Sequence, residues 1–355
     1  MDWMTTVILS VTVFWVVVNL LYRRVLQGRY SGVEVTGYVI LNVKKSLKVE
    51  SRLSKRSSIY NILVILAFAA SLVFFYASII ASIASKISTG ESGVTLLVPG
   101  VNVVGVDILY FIISVGLATS LHEFLHAQLA LRNGINIKSY GFILALVIPL
   151  AYVEIDEDAF KQAGISRRLG VLSAGIAGNL ALALTSLLLL SAITLPVGLM
   201  ITDVKPGSPA DGRLQAYDII VEVNGTLVKS IKDIPRVEKL AKPTVLYVSV
   251  LREGRIVNLS IPIGLNDTRI GVYLAPALRT ELIAFLGAPL TEAVYRFLSW
   301  NYIVNYSIAL VNAAPLFITD GGKFLKEILG DKHKSVADTI SLVTLILILL
   351  LILHP

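Results

Sequence analysis

No cysteine occurs among the 355 residues. That excludes a disulfide framework and any thiolate metal site, so a metal in this chain must be held by histidine and carboxylate. Charge is scarce as well. Asp, Glu, Lys and Arg make up 15% of the chain, where a soluble globular protein has about a quarter. Histidine is rarer still, with four residues. The remainder is strongly apolar, 55% hydrophobic with a mean hydropathy of +0.77. This is the composition of an integral membrane protein with room for one soluble domain. The net charge of +7 would by itself raise nucleic acid as a partner. Its placement instead follows the basic bias of cytoplasmic membrane loops, so a lipid bilayer is the expected partner and nucleic acid is not.

Apolar runs predict about six transmembrane helices, at residues 1–22, 59–83, 108–131, 169–194, 299–316 and 336–353. The first is not read as a signal peptide, because Arg23 and Arg24 follow the apolar run instead of preceding it. Basic residues cluster at 23–56, 132–168 and 323–334. Six spans that begin outside place all three clusters in the cytoplasm. Residues 32–43 are rich in β-branched residues and predict a short hairpin or sheet at the membrane surface. Its basic surroundings suit either anionic lipid head groups or plain solvent. Residues 140–154 are apolar but too short to span as a helix and are interrupted by Pro149. They predict an extended or re-entrant segment near the functional site, or else an ordinary buried strand. Residues 278–297 carry scattered charge and predict an amphipathic helix at the interface.

Residues 196–275 differ in character. Strands are predicted at 198–204, 218–223, 244–251 and 256–263, with a turn at 252–255 and a short helix at 231–241. The chain therefore divides into 1–107, two helices and a basic loop; 108–195, the first part of a membrane core; 196–275, an inserted α+β domain; and 276–355, the second part of the core. The topology puts the insert on the extracytoplasmic side of the cell membrane.

The chemistry-bearing stretch lies in the third span. His122, Glu123 and His126 stand in the order His-Glu-x-x-His. On a helix both imidazoles share one face and can hold a zinc ion, and the carboxylate beside them can act as general base. Such a pattern also arises by chance. But an ionisable group in a membrane helix costs about 2.5–3.5 kcal/mol, which favours a function for this one. Catalytic zinc takes three protein ligands. Asp320, at the cytoplasmic end of the fifth span and so at the depth of His126, is the best third ligand; an N-cap for the following helix is the rival reading. Glu154 and Asp156 are weaker alternatives. Asn179 lies deep in a span and needs a partner, either a neighbouring helix or the site; Asn179 or Asn312 could donate to an oxyanion. His333, between two lysines, and His354 read as surface residues.

Three stretches carry a family resemblance: His122-Glu123-x-x-His126, Gly175-x-x-Gly178-Asn179, and Asn312-x-x-Pro315-x4-Asp320-Gly321. Together they resemble the site-2 protease family of intramembrane zinc metalloproteases, across residues 108–335. The resemblance implies one zinc ion per chain on His122, His126 and Asp320, with Glu123 as catalytic base. It also implies substrate or transition-state contacts for Asn179 and Asn312. Thr319 departs from the leucine usual before Asp-Gly. The implied substrates are single-span membrane proteins, cut after another protease has shed their outer domain. Pro206–Ala210 and Leu214-x3-Asp218 through Gly225 resemble a PDZ domain, in which Ile270, Gly271 and Val272 would lie along the peptide groove and the 231–241 helix would face them. Such a domain would bind substrate peptides or exclude bulky ones. Two other classes remain: a non-catalytic PDZ membrane scaffold, which leaves Glu123 without a purpose, and a soluble-substrate protease merely anchored in the membrane, which leaves the motif in the wrong place.

Overall fold

The structure, a computed structural model, describes residues 3–27, 29–30, 32–51, 57–90 and 92–353. The chain forms two compact units, one of residues 1–186 with 299–355 and one of residues 187–298. In order, the elements are α1 (Trp3–Leu21), β1 (Val33–Thr36), β2 (Ile40–Val49), α2 (Ser57–Thr89), α3 (Asp107–Arg132), β3 (Ile137–Ala145), β4 (Ile148–Ile155), α4 (Glu157–Gln162) and α5 (Ile165–Ile193). There follow β5 (Thr194–Val204), β6 (Ile219–Val223), β7 (Thr226–Leu227), β8 (Thr244–Arg252), β9 (Arg255–Ile263) and β10 (Val272–Leu278). Last come α6 (Thr280–Leu286), α7 (Ala288–Ala313), α8 (Asp320–Leu329) and α9 (Lys334–Leu353).

Among the described residues, five helical stretches are long and apolar enough to cross a bilayer: Leu9–Leu26, Ser58–Thr89, Asp107–Arg132, Ile165–Ile193 and Asp331–Leu353. This is a polytopic membrane protein with a β domain. The sixth expected span falls in α7, which is not among the five. Arg296, Asn301, Asn305 and Asn312 dilute its apolar character. The amphipathic helix expected at 278–297 is not a separate element. Gly287 (φ +78°) ends α6, and Pro289 stands in the first turn of α7, where its missing N–H costs nothing.

The first unit contains a four-stranded antiparallel sheet in the order β1-β2-β3-β4. The hairpin expected in the basic loop is present, turning at Gly37 and Tyr38, both in the left-handed region. Residues 52–56 of that loop lie outside the described residues. The 140–154 segment is also a hairpin, closed by Leu146 and Val147 and paired to β2 through β3. β4 is an edge strand, the position in a sheet that tolerates Pro149. Its open edge runs beside α3, where Thr119 Oγ1 donates to Pro149 O (3.4 Å).

Helix packing then brings separate parts of the sequence together. Phe68 of α2 stacks on Phe324 of α8 at 4.0 Å, beside Ile176 and Leu180 of α5 and Ala309 and Ala313 of α7. Phe111 of α3 meets Trp300 of α7 edge-on at 5.6 Å. Asn61 of α2 and Asn133, which follows α3, exchange two buried amide hydrogen bonds, 2.9 and 3.1 Å. That pairing leaves neither amide unsatisfied in an apolar setting.

In the second unit the strand order is β10-β5-β6-β8-β9, with β7 paired to β6. Every pairing is antiparallel. Its core includes Ile201, Ile220, Val248 and Ile261. Asp218, buried, takes a bidentate bond from Arg252, Nε to Oδ1 at 2.7 Å and Nη2 to Oδ2 at 2.6 Å. The helix expected at 231–241 is absent. Two single 3₁₀ turns, Ile231–Asp233 and Val237–Lys239, take its place. Pro235 forces the residue before it out of the helical region, and Ile234 is extended at φ −84°, ψ 123°. Between β5 and β10 the described residues hold no α-helix, so the insert expected as α+β at 196–275 is β with 3₁₀ turns.

Candidate metal centre

α3 fixes the first two groups by its own geometry, since residues four apart share a face. His122 and His126 lie with ring centroids 4.6 Å apart. Asp320 comes from far along the chain, at the first residue of α8. Its Oδ2 is 3.0 Å from His122 Nε2 and 3.1 Å from His126 Nε2, and the two Nε2 atoms are 3.0 Å apart. His122 is buried, and the side chains of His126 and Asp320 are nearly so. Lys323 Nζ approaches the other oxygen of Asp320 at 3.5 Å.

The turn before Asp320 explains its placement. Thr319 Oγ1 donates to Ala314 O (2.6 Å) and accepts from Gly322 N (3.2 Å). Thr319 is therefore the N-cap of α8, and Asp320 is released from that task. A Cβ on Gly321 would sit 2.2 Å from Ala313 O, and one on Gly322 would sit 1.7 Å from Leu316 O. Only glycine allows the first turn of α8 to press against the backbone leaving α7.

Each imidazole is oriented through its other nitrogen. His126 Nδ1 meets Val171 O at 2.6 Å. A carbonyl can only accept, so Nδ1 carries a proton, and in the neutral ring Nε2 has the lone pair. His122 Nδ1 meets Asn179 Oδ1 at 2.6 Å. Asn179 Nδ2 donates to Ala118 O (3.0 Å) and to Asn305 Oδ1 (2.8 Å), which identifies the other amide atom as the oxygen. In the neutral ring, the form that binds metal, His122 Nε2 is then also the unprotonated nitrogen. With both rings neutral, three lone-pair atoms within 3.1 Å of one another repel unless a proton or a metal ion lies among them. Ligands about 2.0–2.1 Å from a tetrahedral ion are separated by about 3.3 Å. The donor set and its spacing fit a metal ion, and His122, His126 and Asp320 are the group among the described residues that could hold one.

Glu123 stands outside this cluster. Its Oε2 accepts from Val153 N of β4 at 3.0 Å. The two alternative carboxylates are engaged elsewhere. Glu154 pairs with Lys44 at 2.7 Å and accepts from Ser139; the hydrogen bond from Lys44 holds its carboxyl below the ordinary range. Asp156 caps α4 through Asp158 N and Ala159 N, and the bond from Ala159 N lowers its pKa. Asn179 is brought to the cluster, where its Oδ1 meets His122 Nδ1 and its Nδ2 donates to Ala118 O and Asn305 Oδ1. Asn312 donates to Ile308 O of its own helix at 3.1 Å. His333 is exposed, and His354 lies outside the described residues.

In the second unit, Ile270, Gly271 and Val272 line a groove of about 520 Å³ together with Ile231, Pro235 and Val237. Sequence reading missed Asn305, Asn301, Val171 and Val153 as parts of the membrane-core site. Only the asparagines left a signal, an i, i+4 pair of amides inside an apolar helix.

The comparisons with known proteins point the same way. A model of peptidase family M50 matches residues 110–353. An uncharacterized protein of Methanocaldococcus jannaschii is 31% identical over 328 residues, covering 90% of this chain and 84% of its own length. A membrane-bound transcription factor site-2 protease homolog of Arabidopsis thaliana is 30% identical over 129 residues, which is 34% of this chain and 25% of the plant protein.

Proposed function

Because this chain belongs to peptidase family M50, we propose that it is an intramembrane zinc metalloprotease that hydrolyses peptide bonds within or near transmembrane segments. The observation that carries this reading is the convergence of His122 Nε2, His126 Nε2 and Asp320 Oδ2 one residue from Glu123, on a helix of membrane-spanning length. Those three residues would hold one zinc ion. Zinc supplies Lewis acidity, which polarises the scissile carbonyl and acidifies water. Glu123 takes the proton of the attacking water as the new C–O bond forms, and gives it to the amine as the C–N bond breaks.

A substrate helix must be unwound before its amide can be attacked. The open edge of β4 suits an extended chain added as a further strand. Val153 N–H, which holds Glu123 here, is one of the groups such a strand would take. Docking would then free Glu123 for the substrate. Asn179 and Asn312, the latter on the helix leading to Asp320, remain the candidate oxyanion donors. Substrates would be single-span proteins whose outer domain has already been shed. The three basic clusters support an active site near the cytoplasmic side, with the β unit outside. Its groove would take an extended peptide, as PDZ domains do, or limit what reaches the membrane core.

The test uses purified protein, a single-span substrate, and Glu123→Gln. Wild type should cleave and contain zinc; the variant should keep its zinc and lose at least about 100-fold in rate, the scale of general-base catalysis. Cleavage by Glu123→Gln at the wild-type rate would sink the mechanism. Absence of cleavage by wild type, with peptide bound in the groove, would favour the scaffold.

A further inference from the structure

A chain of buried amides leads away from His122. Asn179 Nδ2 donates to Asn305 Oδ1 at 2.8 Å; Asn305 Nδ2 donates to Asn301 O at 2.9 Å and Asn301 Oδ1 at 3.0 Å; Asn301 Nδ2 donates to Ser186 Oγ at 2.8 Å. Ser186 Oγ donates to Leu182 O at 2.9 Å. Asn179, Asn305 and Ser186 are fully buried, and Asn301 is 3% exposed. Water cannot substitute for a missing partner there, and buried amides on two helices are costly in an apolar core unless each finds a partner.

The direction of the chain is forced. An amide can flip end for end, exchanging donor and acceptor. Two acceptors, Ala118 O and Asn305 Oδ1, jointly hold the NH₂ end of Asn179, and Asn301 O, which can only accept, holds the NH₂ end of Asn305. Both side-chain oxygens then face back toward α3. The last of them faces His122 Nδ1 and requires a proton on that nitrogen. A flipped Asn179 would donate to Nδ1 instead, moving the proton to Nε2, the nitrogen needed as ligand.

We propose that Asn305, backed by Asn301, is a positioning residue that fixes Asn179 and through it the Nδ1–H tautomer of His122, so that Nε2 stays open to a metal ion. The metal itself rests on the metalloprotease reading; the tautomer does not.

Asn305→Leu removes the acceptor at similar volume, and Asn305→Asp keeps one. With ¹⁵N-histidine in the full-length, metal-free protein, ring nitrogen shifts report the tautomer of His122. Wild type and Asn305→Asp should show one Nδ1–H form, and Asn305→Leu a mixture of tautomers. A zinc competition titration on the same samples should find the leucine variant weakened about tenfold, the lower end of outer-shell effects. If Asn305→Leu does not fold, Asn305→Ala is read in the same way. A single Nδ1–H form and unchanged zinc affinity in the leucine or alanine variant would overturn the proposal. So would an aspartate variant as impaired as the leucine one. If wild type bound no zinc, the metalloprotease reading would fail, while the tautomer series would still decide the role of Asn305.

Discussion

Gly175 tests whether the position of the His122 ring is built by α5. A Cβ added there would lie 2.6 Å from Cγ, Cδ2 and Nε2 of His122. The ring cannot swing aside freely, because Nδ1 is bound to Asn179 and Nε2 faces Asp320. To reach ordinary contact at about 3.4 Å, ring or helix must retreat by about 0.8 Å. Metal sites hold their ligand distances within about 0.2 Å. Gly175→Ala should therefore weaken zinc binding about 10–100-fold, or roughly 1.4–2.7 kcal/mol. Fold stability should change less, since alanine gains about 1 kcal/mol of helix propensity against the strain. Gly178→Ala is the control. It adds the same methyl group one turn away, where the Cβ meets the Cδ1 end of Leu125, a side chain that can rotate. Its zinc affinity should stay within about threefold of wild type. Competition titration against a chelator measures both. Equal weakening by the two alanines, or none by Gly175→Ala, would refute the reasoning.

Two further perturbations address the scaffold. Arg252→Met leaves the Asp218 carboxylate, 2% exposed, without its bidentate partner, and should destabilise the β unit by about 3 kcal/mol; unchanged hydrogen-exchange protection across β6 and β8 would contradict this. Asn61→Leu strands the buried amide of Asn133 and should cost about 1–3 kcal/mol. The double change with Asn133→Leu should cost less than the sum of the single ones in a thermal-unfolding cycle, and strict additivity would show that the pair does not act as one.

How much of this was legible in the sequence depended on range. α3 runs 107–132 where 108–131 was expected, because apolar length and the polar residues flanking it set a membrane helix locally. The pairing of His122 and His126 was equally local. Asp320 could be placed by depth, but its release from capping could not be seen, since it depends on the Thr319 hydroxyl reaching Ala314 O and Gly322 N. The β2–β3 pairing joins residues about 100 positions apart, and no local pattern announces such a register. The 231–241 helix failed for a reason already in the sequence: Ile234 before Pro235 is barred from helical geometry.

The residues that make the site are divided unevenly among the helices. α3 supplies both imidazoles, and local geometry puts them on one face without help. That face alone does not decide which nitrogen is free. α5 does so twice, through Val171 O for His126 and Asn179 for His122. It can come this close because Gly175 has no side chain. α7 then orients the amide that orients His122, and delivers the chain to Asp320. A second sequence with the same His-Glu-x-x-His but a bulky residue at the place of Gly175 would keep the ligand types and lose their arrangement. The motif names the chemistry, and the contact of α3 with α5 determines whether the chemistry can be assembled.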